Sequence, residues 1–478
     1  MNIDKILEIA KHEFQQKLTE FCQNRDFTKL TAENAEEFAR GLRAGLSAAG
    51  AVAYQTFIES HDESAETILR EGVVFRFKQG SRKHFLTPFG EIAMTRRLYQ
   101  ADQGGKSYVP LDEKWGMQGQ YATSEVRESI LYSVALMTPE ESACLLLKSA
   151  LFHPSPTAIK HIVADTGAVI EERKEALDQK IRQDEPVPPG TEAVAISFDG
   201  VNVLLAERGQ RKGRKVERPK AHLPARGLRQ AGKSDSVKTA YRHAMVGSIS
   251  YYGKEEGQPK RLESRYTARM PESKFLTFRQ QFEQEIAACF EKVPEEATKL
   301  VITDGHPGLE KYIERNPLLA DCEILIDFYH AMEHLSLAAE AIFGKSAPAA
   351  NRWFEKWRQL LLHQEHSIRG FYRSMKYYRT AIGGARREAL CKEMNYFKKR
   401  KAKMNYAYYR NQGLPIASGP VEAACKSIVK ARLCRSGMRW SRTGGQNILN
   451  LRTYVKSGRW QSFWNHHQAD CYHDKIAA

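Results

Sequence analysis

Two apolar runs of this chain close on the same ending, Ser197-Phe198-Asp199-Gly200 and Thr303-Asp304-Gly305. Each reads as a β-strand that delivers an aspartate, and in open α/β sheets ligands collect at the carboxyl ends of strands. Along AVAISFDG, Asp199 shares a face with the small residues Ala195 and Ser197, while Val194, Ile196 and Phe198 fill the other. Small neighbours leave room for an ion. A third acid stands apart: Glu422 is the one carboxylate between Lys398 and Arg442, among twelve Lys and Arg. If Gly419 caps the helix VEAACKSIVKARL, Pro420 is its first position and Glu422 its third. Three carboxylates can hold two divalent ions about 3.5–4 Å apart, and Mg²⁺ prefers oxygen ligands. One ion would activate a water or a 3′-hydroxyl and the other would stabilise the leaving 3′ oxygen, so the protein's work is positioning and charge neutralisation. The plainer alternatives are turn chemistry for Asp-Gly and pairing with the helix dipole for Glu422.

The charge points to the substrate. Lys plus Arg number 73 against 57 Asp plus Glu, a net charge of +16, which suits a polyanion, most simply nucleic acid. Between Arg208 and Lys233 stand ten Lys or Arg and one acid, Glu217. Phosphate contacts are expected from Lys212, Arg214 and Lys215 in that run, and from Lys426, Lys430, Arg432, Arg435 and Arg439 near Glu422. Tyr406, Tyr408, Tyr409 and Trp440 interleave with the second run, as rings that stack on bases would. At 478 residues the chain exceeds one simple domain and is no small disulfide scaffold. Its eight cysteines are scattered, with no C-x-x-C pair, and are expected to be reduced thiols. No apolar run approaches the ~20 residues that span a bilayer, and the amphipathic start MNIDKILEIAKHEF carries acids. No membrane partner and a cytoplasmic location are therefore expected.

The elements that must position these residues fall into blocks. Residues 1–70 read as helical, 71–116 as a small antiparallel β region, and 117–182 as helical again. In that third block Thr138-Pro-Glu-Glu141 offers a capped helix start, and a break at His153-Pro154 leads to a second helix from Ser155. The pair resembles a helix-turn-helix, with a recognition helix within 155–170. QDEPVPPG, residues 183–190, has the composition of a linker. From 191 to 346 five apolar strands (AVAISFDG, VNVLLAER, AMVGSISYYG, KLVITDG, CEILIDFYH) alternate with helices, an α/β pattern with a mixed sheet. Residues 347–410 are almost wholly helical, 411–465 carry Glu422, and 466–478 form a tail.

The order and spacing of Asp199, Asp304 and Glu422 resemble a DDE transposase of the mutator-like kind, in which an all-helical insertion separates the last core strand from the helix bearing the Glu. DFYHAMEHLSLAAEAIFG, with Asp327-Phe-Tyr-His330 in the place of a C/D-x-x-H motif, and GLPIASGPVEAACKSIVKARLCRSGMRWSRTGGQNILNLRTYVKSGRWQSFW strongly resemble transposases of the Kra-type insertion sequences (ISKra). The resemblance spans roughly Ala193–Trp464 and is looser before it. It implies an RNase H-like catalytic core with a five-stranded mixed sheet and an all-α insertion, preceded by an α+β N-terminal region. It implies Asp199, Asp304 and Glu422 as the catalytic triad on a two-ion Mg²⁺ or Mn²⁺ site, with Asp327 and His330 behind them orienting the site. Asp327 competes with Asp304 for the second position, and the family pattern favours Asp304. The implied partners are duplex DNA, as terminal inverted repeats and as target, and a second copy of the chain to pair two ends; the bound protein would sit on the bacterial nucleoid. Two other readings stand: an inactive RNase H-like DNA-binding regulator, and a zinc protease through His330-Ala-Met-Glu333-His334, which fits H-x-x-E-H but explains neither the basic runs nor the paired strands.

Overall fold

The computed structural model describes residues 3–23, 25–102, 104–105, 107–208 and 237–476. The chain divides into two compact units, Met1–Leu177 with Trp460–Ala478, and Asp178–Arg459.

The first unit begins with α1 (Ile3–Cys22) and α2 (Ala32–Glu59). The glycine-rich face of α2 lets α1 approach closely, since a Cβ at Gly41 would lie 2.3 Å from the Phe21 ring. A four-stranded antiparallel sheet follows in the order β1 (Thr67–Arg70), β2 (Val73–Thr87), β3 (Gly90–Ala101), β4 (Ser107–Tyr108). The helical reading of 1–70 is therefore corrected at its end. β1 folds onto β2 through Glu71-Gly72, both at positive φ. That geometry is a hairpin turn usually announced by Asn-Gly or Asp-Gly. After α3 (Pro110–Lys114) come α4 (Ser124–Leu136), α5 (Pro139–Ser149) and α6 (Pro156–Asp184). The capping box at Thr138 is present: its Oγ1 accepts from Glu141 N at 3.2 Å, and Glu141 accepts in return from Thr138 N at 2.8 Å. Residues 150–155 separate α5 from α6, longer than the tight turn of a helix-turn-helix.

The boundary between units falls inside α6, after Leu177. The expected linker is largely ordered. α6 continues to Asp184, Lys292 Nζ donates to the carbonyls of Arg182, Gln183 and Glu185, and Arg265 donates to that of Pro186 at 2.7 Å. A cation at a helix carboxyl end satisfies carbonyls that no helix can pair internally.

The second unit is mixed α/β. Its sheet has the order β7-β6-β5-β8-β9, where β5 is Ala193–Arg208, β6 Val237–Glu255, β7 Gln258–Arg269, β8 Thr298–Thr303 and β9 Glu323–Ile326. β5, β6 and β7 run antiparallel, and β5, β8 and β9 parallel. The count of five agrees with the sequence reading, but its members differ. AVAISFDG and VNVLLAER are one strand, and Asp199-Gly200 lies within it, paired with Val246 and Met245. The strand not foreseen is β7, QPKRLESRYTAR, an edge strand whose charges hide its period and whose outer edge is partly covered, with Ser457 Oγ accepting from Tyr266 N at 3.0 Å and Gln446 Nε2 donating to the Ala268 carbonyl at 3.3 Å. α7 (Leu276–Lys292), through Phe278, Phe282 and Ile286, and α8 (Pro307–Arg315), through Ile313, cover one face against Val194, Ile196 and Phe198. On the other face Ala193, Ala195, Leu300 and Ile302 meet α9 (Phe328–Phe343). Fully burying such aliphatic and aromatic side chains contributes about 1.5–3 kcal/mol each.

The helical segment expected over 347–410 is α10 (Pro348–His363), α11 (Ser367–Ala381), α12 (Gly384–Arg400) and α13 (Tyr406–Asn411), built around Trp353, Trp357, Phe371 and Phe397. Then come α14 (Gly419–Ala424), a wider π-type turn over Cys425–Lys430, α15 (Ala431–Leu433) and α16 (Arg442–Lys456). The last helix, α17 (Trp460–Ile476), groups with the first unit, so the expected block 411–465 ends at Arg459 and the expected tail is helical from 466 to 476.

Candidate functional site

Strand register brings the acids level. Ile196 of β5, Val301 of β8 and Ile324 of β9 lie side by side, and three residues further along these parallel segments stand Asp199, Asp304 and Asp327. β8 and β9 have ended there, while β5 continues only against β6. The three aspartates, with Glu422 and Glu333, line one cleft of about 360 Å³ whose walls include Phe198, His330, Cys425, Lys426 and Lys430.

Each carboxylate is held differently. Asp199 accepts from Gly200 N at 2.6 Å through Oδ1 and from the Cys425 thiol at 3.6 Å through Oδ2. Burial first, then the Asp199 charge, push the Cys425 thiol well above its usual range, so it stays a donor. Asp304 accepts from His306 N at 2.7 Å. Asp327 is 1% exposed and caps α9, accepting from His330 N at 2.7 Å through Oδ1 and from Ser418 N through Oδ2. It ties the start of α9 to the residue before α14, and so fixes the helix that carries Glu422. Ser418 is that helix's N-cap and Glu422 its fourth residue, one later than the sequence reading placed it. Partial burial, followed by the like charges of Asp327, Asp199 and Glu333, raises the Glu422 carboxyl above its ordinary value, with Lys426 opposing.

The helical insertion supports the second aspartate. Tyr396 OH of α12 donates to the Asp304 carbonyl at 3.2 Å, and Arg400 donates to the Gly305 carbonyl and to Glu310 at 2.6 Å. Gly305 has φ +80°, and a Cβ there would lie 2.5 Å from Arg400 Nε, on a side chain that is itself buried. Gly305→Ala therefore combines a left-handed backbone costing about 1–3 kcal/mol with a clash. Its expected result is a melting temperature lower by at least about 4 °C, measured by calorimetry, and a displaced Asp304.

The cationic residues divide. Lys426 and Lys430 face the cleft, and Arg435 and Arg439 are exposed. Lys212, Arg214 and Lys215 lie outside the described residues. Arg432 is 1% exposed with its guanidinium over the Trp440 ring, so it is not a surface phosphate contact. Trp440 is half-buried, bridges β5 through Leu204 O and Ala206 N, and donates its indole N–H to Leu433 O at 3.0 Å, so it also holds the fold here. Tyr406 and Tyr409 are buried as well; only Tyr408 of the three tyrosines is exposed.

Sequence reasoning placed Glu333 only in the H-x-x-E-H string and gave Cys425 no role. Their signal was helical spacing, Glu333 three residues after His330 and Cys425 three after Glu422. The zinc geometry of that string is not assembled. His334 lies flat on Tyr396 with centroids 3.6 Å apart, and its Nδ1 is 2.5 Å from the buried Glu393. Among the described residues no three His, Cys, Asp or Glu groups stand close enough to hold a metal ion as the side chains lie. The donor set nevertheless fits a hard cation in kind, since the acids lining the cleft offer carboxylate oxygens, and burial followed by the charges of Asp327 and Asp199 lifts Glu422. No family model and no curated protein matches this chain.

Proposed function

We propose that this chain is a DDE transposase with an RNase H-like core, cutting DNA at the ends of its own insertion sequence and joining the freed 3′-hydroxyl to target DNA. The observation that carries this reading is the convergence of Asp199, Asp304 and Glu422, far apart in sequence, on one cleft beside Lys426 and Lys430. Asp199, Asp304 and Glu422 would hold Mg²⁺ or Mn²⁺, which supplies the charge that a departing 3′ oxygen needs. The chain's own part is to orient these carboxylates: Asp327 anchors the Glu422 helix, and Tyr396 and Arg400 anchor the Asp304 turn. Lys426 and Lys430 would seat a phosphate at the cleft.

The test is nicking of a plasmid carrying the gene with its flanking repeats, with Mg²⁺ or Mn²⁺ and with EDTA. Cation-dependent nicks at the repeat ends are the expected result. A DNA-binding regulator without chemistry is the second reading, favoured by the spacing of the acids as they lie; it predicts end binding and no nicks under any cation. Affinity for duplex DNA should fall with salt by a log–log slope of about −0.9 per phosphate contacted. Lys426→Ala should shrink that slope by about one contact, and a salt-independent affinity measured by fluorescence anisotropy would refute the phosphate track.

A further inference from the structure

The helix α11 carries Arg369, Arg373, Lys376 and Arg379 in SIRGFYRSMKYYRTA, and no acid. Its apolar positions Ile368, Phe371 and Met375 are buried, with the Phe371 ring against Trp353, Trp357 and Phe397. Steps of four and three residues put Arg369, Arg373 and Lys376 on one helix face, and all three are exposed. Among the described residues none of the three has a carboxylate within ion-pairing distance, whereas Arg358 on the preceding helix is paired with Glu355 at 3.1 Å.

This arrangement works against the helix that carries it. Like charges three or four residues apart destabilise a helix, and no acid on α11 offsets them. Arg369 is the third residue of α11, where the helix dipole disfavours a cation. A row of cations that opposes its own helix, and has no acid beside it among the described residues, suits an anion outside the chain. The row is short and straight. At 1.5 Å of rise per residue, Arg369 to Lys376 covers about 10 Å, or about three phosphate steps of one DNA strand at roughly 3.4 Å each. Lys376 Nζ lies 5.4 Å from the Tyr372 ring centroid, which keeps the ammonium over the helix surface. An anionic bilayer fits less well than DNA. A helix that lies on a membrane buries its apolar face there, and that face of α11 is already inside the protein.

We infer that the exposed face of α11 grips the phosphate backbone of duplex DNA, in addition to Lys426 and Lys430 at the cleft. The inference rests on the transposase reading for its partner, DNA, and not for strand cleavage.

The test is fluorescence anisotropy of the full chain on a labelled duplex across a series of salt concentrations. The triple variant Arg369→Gln, Arg373→Gln, Lys376→Gln should bind about tenfold more weakly or worse at low salt, with a log–log slope smaller by about 2 to 3. Its melting temperature should be no lower than the parent's, because it loses repulsion and no packing. Thr380→Lys, at an exposed position one turn beyond Lys376, lengthens the row and should steepen the slope by about one; a gain of this kind cannot come from misfolding. Tyr377 is 71% exposed beside the row, and Tyr377→Ala should leave duplex affinity within about twofold, since paired bases offer no free face. An unchanged slope in the triple variant, from a parent that binds duplex, overturns the inference and leaves the cleavage reading standing. A tenfold loss in Tyr377→Ala, or loss of phosphatidylserine-vesicle binding in the triple variant with duplex affinity kept, also overturns it, in favour of an unpaired base or a membrane. Slope changes as expected with no nicking under any cation overturn the cleavage reading alone. A parent without affinity for duplex overturns both.

Discussion

Asp199→Asn, Asp304→Asn and Glu422→Gln should each lower DNA strand cleavage by at least about a thousandfold, some 4 kcal/mol of transition-state stabilisation, while end binding stays within a few-fold of the unsubstituted chain. The reasoning is electrostatic. An amide keeps the shape of each side chain and removes the charge that would hold a cation. The same substitution has a second, opposite signature in stability. Burial and the neighbouring acids raise the Glu422 carboxyl, so its ionised form is disfavoured in the folded chain. A carboxyl raised on folding contributes stability below its unfolded value, and that contribution is lost as pH rises through the folded value. Glu422→Gln should therefore melt no lower than the parent at pH 7, and the two should converge near pH 4. A structural carboxylate would behave the other way, losing stability with its charge. Cleavage that survives in any one of the three variants removes that residue from the triad.

Asp327 separates the two roles. Both its oxygens accept backbone N–H groups in a buried setting, so Asp327→Asn leaves a buried donor facing a donor. That variant should lose stability as well as cleavage, whereas Glu422→Gln should lose cleavage alone.

What the sequence disclosed about this site, and what it hid, follow one rule. Asp199, Asp304 and Glu422 announced themselves locally, by two strands closing on Asp-Gly and by a lone acid among cations. The α/β alternation, the helical segment over 347–410 and the capping box at Thr138 were legible because each depends on neighbours within a turn or two of chain. Wherever the decision was tertiary, the local pattern misled. Arg400 and Arg432 belong to a run that reads as a solvated basic face, yet one is buried against Gly305 and Glu310 and the other over Trp440. Gly200 looked like the end of a strand, but the long partner β6 carries β5 straight through it. β7 lacked an apolar period because its first half is largely exposed and its second half buries the polar Arg265 and Thr267 beside Ala268. The mixed five-stranded sheet with helices on both faces is what the chain itself displays.

Glu285→Gln should destabilise the second unit by about 3–5 kcal/mol. Glu285 is 7% exposed on α7 and joins Arg182 at 3.0 Å and Arg459 at 2.8 Å; Arg459 also grips Glu185 at 2.6 Å, and Arg265 reaches Glu185 at 3.2 Å and Tyr251 OH at 2.7 Å. Burial alone would raise the Glu285 carboxyl, but Arg459 and then Arg182 outweigh it and hold it well below the ordinary range. A carboxylate depressed on folding stabilises above its unfolded value, near 4.5, and that contribution is lost as pH falls toward the folded value near 2. The parent should therefore lose stability across that acid window, and Glu285→Gln should show a flatter profile there, as denaturant melts at successive pH values would record. The damage in the single variant comes from leaving Arg182 buried without its acid, not from the pair's own worth. Replacing both partners, Glu285→Leu with Arg182→Met, removes the stranded charge and should recover most of the loss. A double variant as unstable as the single one would mean that the cluster stabilises through its charges after all, and that the segment from Asp178 to Pro186 is held to the sheet unit by electrostatics rather than by packing.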